Sequence, residues 1–230
     1  ADDKIDLFLV EADYALKYVD TDYTMPIKDL GITDDDLSKQ YQYTKDIVTD
    51  SNGVLKGLSW QGCPGVLFYN RDAAKEVLGT DDPDKVQEAL STWDKFDKVA
   101  EQAAAKGYKM LSGYDDSYRV FSNNVSAPWV DSNNKIVIDD NIMKWVDQTK
   151  KYTDKGYNNK SSLWDSTWAA DQGPSGKVFG FFYSTWGINF TLLGNSLATP
   201  VKEGGKEEVG NGIYGLSLIH ISEPTRLQLI

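Results

Sequence analysis

Strand signals and helix signals alternate along this chain, and the alternation limits the possible folds more than any other feature. Gly65 opens an apolar run, GVLFYN, that is typical of a buried strand, and GKVFGFFYS from Gly176 has the same character. Between these runs, Asp82-Pro83 and Thr92 each mark the start of a helix. The second helix carries apolar residues at helical spacing: Phe96, Val99, Ala100 and Ala103. The pattern predicts an α/β fold with largely parallel sheets.

Other segments extend this pattern in both directions. IDLFLVEA from Ile5 predicts a buried strand almost at the start of the chain, and YKMLSG predicts a strand that leads into the loop GYDDSYR. Residues 131–134 predict a hairpin turn. Asp139 or Asp140 should begin a helix, and residues 184–187 are expected to cap another one directly after a strand.

The end of the chain resembles a sequence of another origin. Residues 216–226, LSLIHISEPTR, look like one reading frame of a transposon-end adapter used to prepare shotgun DNA libraries. We therefore interpret 216–230 as a non-native tail and exclude it from reasoning about fold and function. The tail contains His220, the only histidine of the chain, which is thereby removed from the catalytic candidates.

The remaining residues lack the usual side chains for acid–base and metal chemistry. Without histidine, the chain has no ready proton shuttle near neutral pH and no transition-metal site of the His/Cys type. Cys63 is the only cysteine, and we expect it to be a small buried side chain. The net charge of −11 disfavours nucleic acid as a partner, because phosphate binding needs clustered Lys and Arg.

The chain has seven tryptophans, which is many for its length. Trp93 and Trp145 are expected to pack in the core or on a helix flank. The others lie beside Gly, Ser, Pro or Asp: Trp60, Trp129, Trp164, Trp168 and Trp186. An indole offers a flat apolar face that suits a pyranose ring, and nearby acids accept hydrogen bonds from its hydroxyls. For any single tryptophan, structural packing remains the alternative, but the five together favour a sugar site.

Four landmarks carry a resemblance to a known family. VEADYALKY, GLSWQGCPGVLFYNRD, KMLSGYDDSYRVF and GKVFGFFYSTWGINF, in this order and spacing, resemble the extracellular solute-binding proteins of carbohydrate ABC importers of the maltose or multiple-sugar type. The resemblance covers residues 1–215. It implies a two-lobe periplasmic-binding-protein-like fold of type II that closes on a saccharide by hinge motion.

The resemblance also implies how the chain is divided and what it meets. Residues 1–66 would be an incomplete first lobe with the crossover, 67–215 the second lobe, and both ends of the protein would be missing. The implied partners are a carbohydrate ligand and the permease subunits of an ABC transporter, with no cofactor and no nucleic acid. We expect a monomer on the extracellular face of the membrane or in the periplasm. The resemblance also implies a signal segment and a lipid anchor, which this fragment would lack. As a fragment, the chain is expected to be poorly soluble or to bind sugar weakly.

Candidate ligand-binding residues follow from the same resemblance. They are Glu11, Asp13, Tyr14 and Trp60 in the first lobe, and Asp115, Asp116, Tyr118, Trp164 and Trp186 in the second. The resemblance implies that the acids accept hydrogen bonds from sugar hydroxyls and that Trp186 is the stacking platform. Helix capping or a solvated surface is the alternative role for the acids.

Two other classes of function remain open. A glycoside hydrolase would also present tryptophans and paired carboxylates, for which Glu11 with Asp115, or Asp165 with either, could serve. A polysaccharide-binding module would present a flat aromatic strip rather than a closing cleft. The sequence favours a non-enzymatic binding protein over both, because no further landmark supports either one.

Overall fold

The computed structural model describes residues 4–196 and, for the backbone, residues 214–217. The chain divides into two compact units, Ala1–Gly62 and Cys63–Ile230. The proposed non-native tail, with His220, lies outside the described residues except for the backbone of Leu216 and Ser217.

The first unit consists of short helices joined by turns. It contains 3₁₀ helices at Ala12–Tyr14 and Ile27–Leu30, α1 at Leu16–Val19 and α2 at Gln42–Asp46. Its buried side chains are few: Ala15, Val19, Ile27 and Thr44.

The strand predicted from Ile5 is not formed. Ile5, Leu7 and Leu9 are 79 %, 85 % and 72 % exposed, and their backbone has no regular structure. A buried strand needs neighbours to satisfy its amides and carbonyls, and the described part of the first unit offers none to this segment. The prediction was wrong because apolar character alone does not supply a pairing partner.

The second unit is built around a three-stranded sheet. Its strands are β1 (Gly65–Asn70), β2 (Gly180–Ser184) and β3 (Tyr214–Ser217), in the order β2-β1-β3. Both pairs are antiparallel, with Leu67 opposite Phe182 in one pair and opposite Ser217 in the other. The central position of β1 explains why all its residues except Gly65 are buried.

The expectation of largely parallel sheets is therefore wrong for these strands. Parallel pairs form when a strand pairs with the strand that follows its connecting helix. YKMLSG instead pairs with residues 177–179, just before β2, and not with β1. The Lys109 amide donates to Lys177 O at 2.7 Å, and the Phe179 amide donates to Lys109 O at 2.8 Å. The parallel contacts in the described chain are isolated bridges, Lys109–Val178 and Gly113–Ser161.

Helices surround this sheet in the second unit. They are α3 (Arg71–Leu78), α4 (Pro83–Ala89), α5 (Trp93–Ala105), α6 (Tyr118–Ser122), α7 (Asp140–Asp154), α8 (Ser166–Asp171) and α9 (Leu193–Asn195), the last preceded by a π-helix at Ile188–Leu192. Among the residues with a described position, no helix is both long and apolar enough to cross a membrane.

Side-chain caps begin several helices as predicted. Asp82 accepts from the amides of Asp84 and Lys85, and Asp139 accepts from the amide of Asn141. Residues 184–187 do not cap the next helix as expected. Gly187 precedes the π-helix there, and no side chain accepts from its first amides.

The core of the second unit forms where α5 packs on the sheet. The predicted apolar face of α5 is confirmed, because Phe96, Val99, Ala100 and Ala103 are all buried. Phe96 lies 5.7 Å from Phe182 of β2 between ring centroids. Burial of these side chains is the main favourable term in the stability of this unit.

Two loop predictions have different outcomes. The turn at 131–134 is confirmed, since Asp131 accepts from the amides of Asn133 and Lys135, and Asn134 has a φ of 58°. Cys63 was expected to be buried and is exposed. It lies two residues before β1, whose first residue, Gly65, is also exposed, so the chain has not yet entered the core at this point.

Removal of the α5 cap should have a measurable effect. Thr92 Oγ1 accepts from the Lys95 amide at 3.2 Å. We expect Thr92→Ala to lower the free energy of unfolding by about 1 kcal/mol, measured by urea denaturation followed by circular dichroism. Thr92→Ser, which keeps the hydroxyl, should restore most of that loss. Equal losses in both variants would contradict the capping role.

Candidate functional site

Three exposed rings of the second unit lie together and form an aromatic surface. Trp164, Trp186 and Phe190 are 54 %, 38 % and 74 % exposed. The Trp164 and Trp186 rings stack with centroids 5.9 Å apart and planes 12° apart. Phe190 meets Trp164 and Trp186 edge-on, at 6.0 Å and 5.5 Å. We call these three residues the aromatic surface; they offer flat apolar faces to the solvent.

The backbone holds Trp164 in an uncommon conformation. Its φ is 73°, in the left-handed region that bulky residues rarely adopt. On one side, the Leu163 amide donates to Asp115 Oδ1 at 3.0 Å. On the other side, Asp165 caps α8 by accepting from the Trp168 amide at 2.7 Å. Such conformations persist where the surroundings fix them, and they are common at binding sites.

Trp186 and Phe190 come from the segment that follows β2. The Phe190 amide donates to Trp186 O at 3.2 Å. Phe190 belongs to the π-helix, a local widening of the helix that often occurs at functional sites. The sequence reasoning missed Phe190, although its spacing of four residues from Trp186 predicts one helical face.

A buried tryptophan packs against Trp164 of the aromatic surface. Trp168 was expected in a loop near the surface but lies in α8 and is 1 % exposed. Its ring centroid is 5.0 Å from that of Trp164, and it packs edge-on against Phe181 and Tyr183. The prediction failed because the capping by Asp165 turns this segment into a helix whose inner face carries Trp168.

The two neighbouring acids of the GYDDSYR loop have different environments. Asp115 is partly exposed, with one oxygen bonded to the Leu163 amide. Asp116 is 2 % exposed and accepts from the amides of Ser112 (2.8 Å) and Gly113 (2.7 Å) and from Trp168 Nε1 (3.1 Å). Burial raises the pKa of Asp116 to about 7, only partly opposed by the Gly113 and Ser112 amides. Asp116 therefore presents no exposed carboxylate here, whereas Asp115 does.

Tyr118 lies away from these contacts. It begins α6 and packs edge-on against Trp145 of α7, with ring centroids 4.9 Å apart. Tyr118 remains partly exposed, so its hydroxyl is still a candidate for hydrogen bonding.

The candidates in the first unit are all exposed. Glu11, Asp13 and Tyr14 share one 3₁₀ turn, in which the Tyr14 amide donates to Glu11 O at 2.9 Å. Lys17 Nζ lies 4.5 Å from the centroid of the Tyr14 ring. Trp60 is 73 % exposed, near the end of this unit. The turn thus brings two carboxylates and a phenol to one short segment.

Metal coordination is not offered by the described part of the chain. Across residues 4–196, no group of three or more His, Cys, Asp or Glu side chains is arranged to hold an ion. The chemistry available at the aromatic surface is therefore apolar stacking, with hydrogen bonding from nearby carboxylate, hydroxyl and backbone groups.

Comparison with known proteins places the chain in a family. A family model described as bacterial extracellular solute-binding protein matches residues 1–209. A search of curated proteins gave no match.

Solved structures share the fold at low sequence identity. One titled as an extracellular solute-binding protein family 1 matches with a TM-score of 0.74 and 13 % identity, over 92 % of this chain and 52 % of the other. The GacH receptor of Streptomyces glaucescens gives 0.62 and 16 %, over 93 % and 51 %. The galacto-N-biose-/lacto-N-biose I-binding protein of Bifidobacterium longum gives 0.59 and 18 %, over 85 % and 45 %. The chain thus spans about half the length of the structures it matches.

Proposed function

Because the chain belongs to the family of bacterial extracellular solute-binding proteins, we propose that its solute is a saccharide, taken up through an ABC importer. The importer's permease would be the protein partner. The family places the protein on the extracellular side of a membrane. Attachment by a lipid anchor, residence in the periplasm and a monomeric state are finer parts of the same proposal.

The observation that carries the proposal is the aromatic surface. Trp164 and Trp186 stack with nearly parallel planes, 12° apart, and both side chains remain exposed to the solvent. Hydroxyl-rich ligands with apolar C–H faces, such as pyranose rings, match the flat apolar faces of these indoles. The extent of the surface, with Phe190 at its edge, favours a ligand of more than one ring, hence an oligosaccharide.

Similar proteins support the choice of ligand. The GacH structure was solved in complex with acarbose, and the Bifidobacterium longum protein in complex with lacto-N-biose. We extend this ligand class to the present chain on the strength of its own exposed indoles.

Binding residues can then be assigned roles. Trp186 and Trp164 would stack on sugar rings, and Asp115 would accept hydrogen bonds from hydroxyls. Glu11, Asp13, Tyr14, Trp60 and Tyr118 are further candidates, all at least partly exposed. In the whole protein, a saccharide held by both lobes would favour the closed state through its higher affinity for that state, and the permease would recognise this state.

The family favours a protein that binds its solute without chemical change. The family is one of solute-binding proteins, and the glycoside hydrolase alternative needs two facing carboxylates. Asp165, one of the acids considered for that role, is engaged as the cap of α8. The hydrogen bonds from the Ser162 and Trp168 amides hold the pKa of Asp165 below its usual value, which suits an ionised cap and not a general acid.

The proposal is tested by removing one stacked indole. We expect Trp186→Ala to weaken oligosaccharide binding by about 1–3 kcal/mol, because a buried stacking face is lost. Isothermal titration of the whole protein against maltose-type, galactose-type and chitin-type oligosaccharides would measure this, with each ligand recovered and checked for cleavage.

Trp129→Ala is the matched control. Trp129 is similarly exposed, at 52 %, but lies next to the hairpin turn and outside the aromatic surface. Its removal should leave the affinity unchanged. Equal affinities for wild type and Trp186→Ala would exclude Trp186 from the site, and cleaved ligand would replace the binding proposal with a catalytic one.

A further inference from the structure

Asp116 is a buried acid whose hydrogen bonds all point inward. One carboxylate oxygen accepts from two consecutive backbone amides, of Ser112 and Gly113. The other accepts from the indole nitrogen of Trp168 at 3.1 Å. A carboxylate in this position ties the start of the GYDDSYR loop to α8.

Trp168 connects Asp116 to the aromatic surface. Trp168 is 1 % exposed. The hydrogen bond to Asp116 and the packing of the Phe181 and Tyr183 rings fix the orientation of its indole. Trp164 packs on Trp168 at 5.0 Å and stacks in turn on Trp186 at 5.9 Å. One hydrogen bond and two ring pairs thus connect Asp116 to Trp186 without a gap.

We propose that Asp116 is a positioning residue, which fixes the Trp168 indole and through it the orientation of the Trp164 and Trp186 rings. Its role differs from that of a ligand-contacting group, since Asp116 is buried. The inference deepens the proposed saccharide site and rests on it for its functional meaning, whereas the tilt of the rings themselves does not depend on which ligand binds.

Titration of Asp116 offers a way to observe this coupling. Burial raises its pKa from 3.8 to about 7, so the group is protonated below that pH and ionised above it. Since the folded-state value lies above the unfolded one, the contribution of Asp116 to stability is greatest at low pH and is lost as the pH rises through about 7. The ionised form accepts the three hydrogen bonds most strongly.

Three other carboxylates lie on the two elements that Asp116 joins, the GYDDSYR loop and α8. Asp115 is on the same loop and its charge raises the pKa of Asp116. On the helix that carries Trp168, Asp165 lies at the N-terminal cap, and Asp171 accepts from Ser112 Oγ at 2.7 Å. In any experiment that varies the pH, the titration of Asp116 must be distinguished from effects of these three carboxylates.

The experiment follows the indole N–H resonances of the ¹⁵N-labelled chain by NMR from about pH 5 to pH 9, a range in which an unperturbed carboxyl does not titrate. Single Trp→Phe variants assign the resonances. We expect Trp168 to shift with a midpoint near 7, and Trp164 and Trp186 to shift with the same midpoint. The resonance of Trp129, in the hairpin, should not shift over this pH range.

Two variants separate the causes. In Asp116→Asn the common transition of the three indoles should be lost. In Asp115→Asn it should persist with a lower midpoint, because a neighbouring negative charge has been removed. Trp164 and Trp186 resonances that are the same in Asp116→Asn as in the wild type, a transition confined to Trp168, or a common transition that survives Asp116→Asn would overturn the positioning role.

The titration needs no sugar to bind. Its failure would leave the proposed saccharide site untouched, and a chain that binds no saccharide could still show the coupled transition. The two proposals are therefore tested independently.

Discussion

Replacement of Trp168 by alanine should lower the free energy of unfolding by about 3–5 kcal/mol, the usual loss for a large aromatic side chain removed from a core. Trp168 is among the largest fully buried side chains described, and it packs against Trp164, Phe181 and Tyr183. The variant would also leave the Asp116 carboxylate without its indole donor. Urea denaturation followed by circular dichroism measures the change.

Two comparisons make the Trp168 result specific. Trp129→Ala removes an exposed indole and should change stability by no more than about 0.5 kcal/mol. Trp168→Phe keeps most of the buried volume but not the N–H donor, so its loss of stability should lie between those of Trp129→Ala and Trp168→Ala. A Trp168→Ala variant as stable as the wild type would show that this side chain is not part of the core.

Gly113→Ala is expected to lower the free energy of unfolding by about 3 kcal/mol, at the upper end for an overpacked site. A methyl group at this position would lie 2.5 Å from Ser161 O, which is a backbone atom and cannot rotate away. The clash would separate the two loops that the Gly113–Ser161 bridge joins. It would also displace the Gly113 amide from Asp116.

Gly65→Ala is the matched control for this substitution. Gly65 also lies in extended chain, but a methyl group there meets no atom within 4 Å. Thermal melting of both variants against the wild type should show a large decrease for Gly113→Ala and little change for Gly65→Ala. Similar melting temperatures for Gly113→Ala and the wild type would mean that the loops can separate without loss.

Local signals predicted those parts of the fold whose cause is local. The caps at Asp82, Thr92 and Asp139 were predicted correctly because a helix start depends on a few adjacent residues. The direction of the strands and the structure of the segment from Ile5 were predicted wrongly, because both depend on which distant residues supply the pairing partner. Periodicity contains no information about that partner.

The site shows the same division. Composition and neighbouring residues pointed to Trp164 and Trp186, which the structure brings into contact. They did not distinguish Asp115 from Asp116, since adjacent acids in one loop have identical sequence surroundings and differ only in which of them the fold buries. The ligand roles of all the candidates stay predictions: Glu11, Asp13, Tyr14, Trp60, Asp115, Asp116, Tyr118, Trp164 and Trp186.

The central place of β1 in its sheet has a consequence for how the chain is made. Synthesis proceeds from the N terminus, so β1 is complete long before its partner β2. During that interval a nascent strand with the apolar sequence GVLFYN carries two unpaired edges, which is the arrangement most open to pairing with another chain. Sheet closure must also wait for contacts between residues far apart in sequence, which slows folding. The same strand that organises the finished unit is thus the one that needs protection while the polypeptide is still growing.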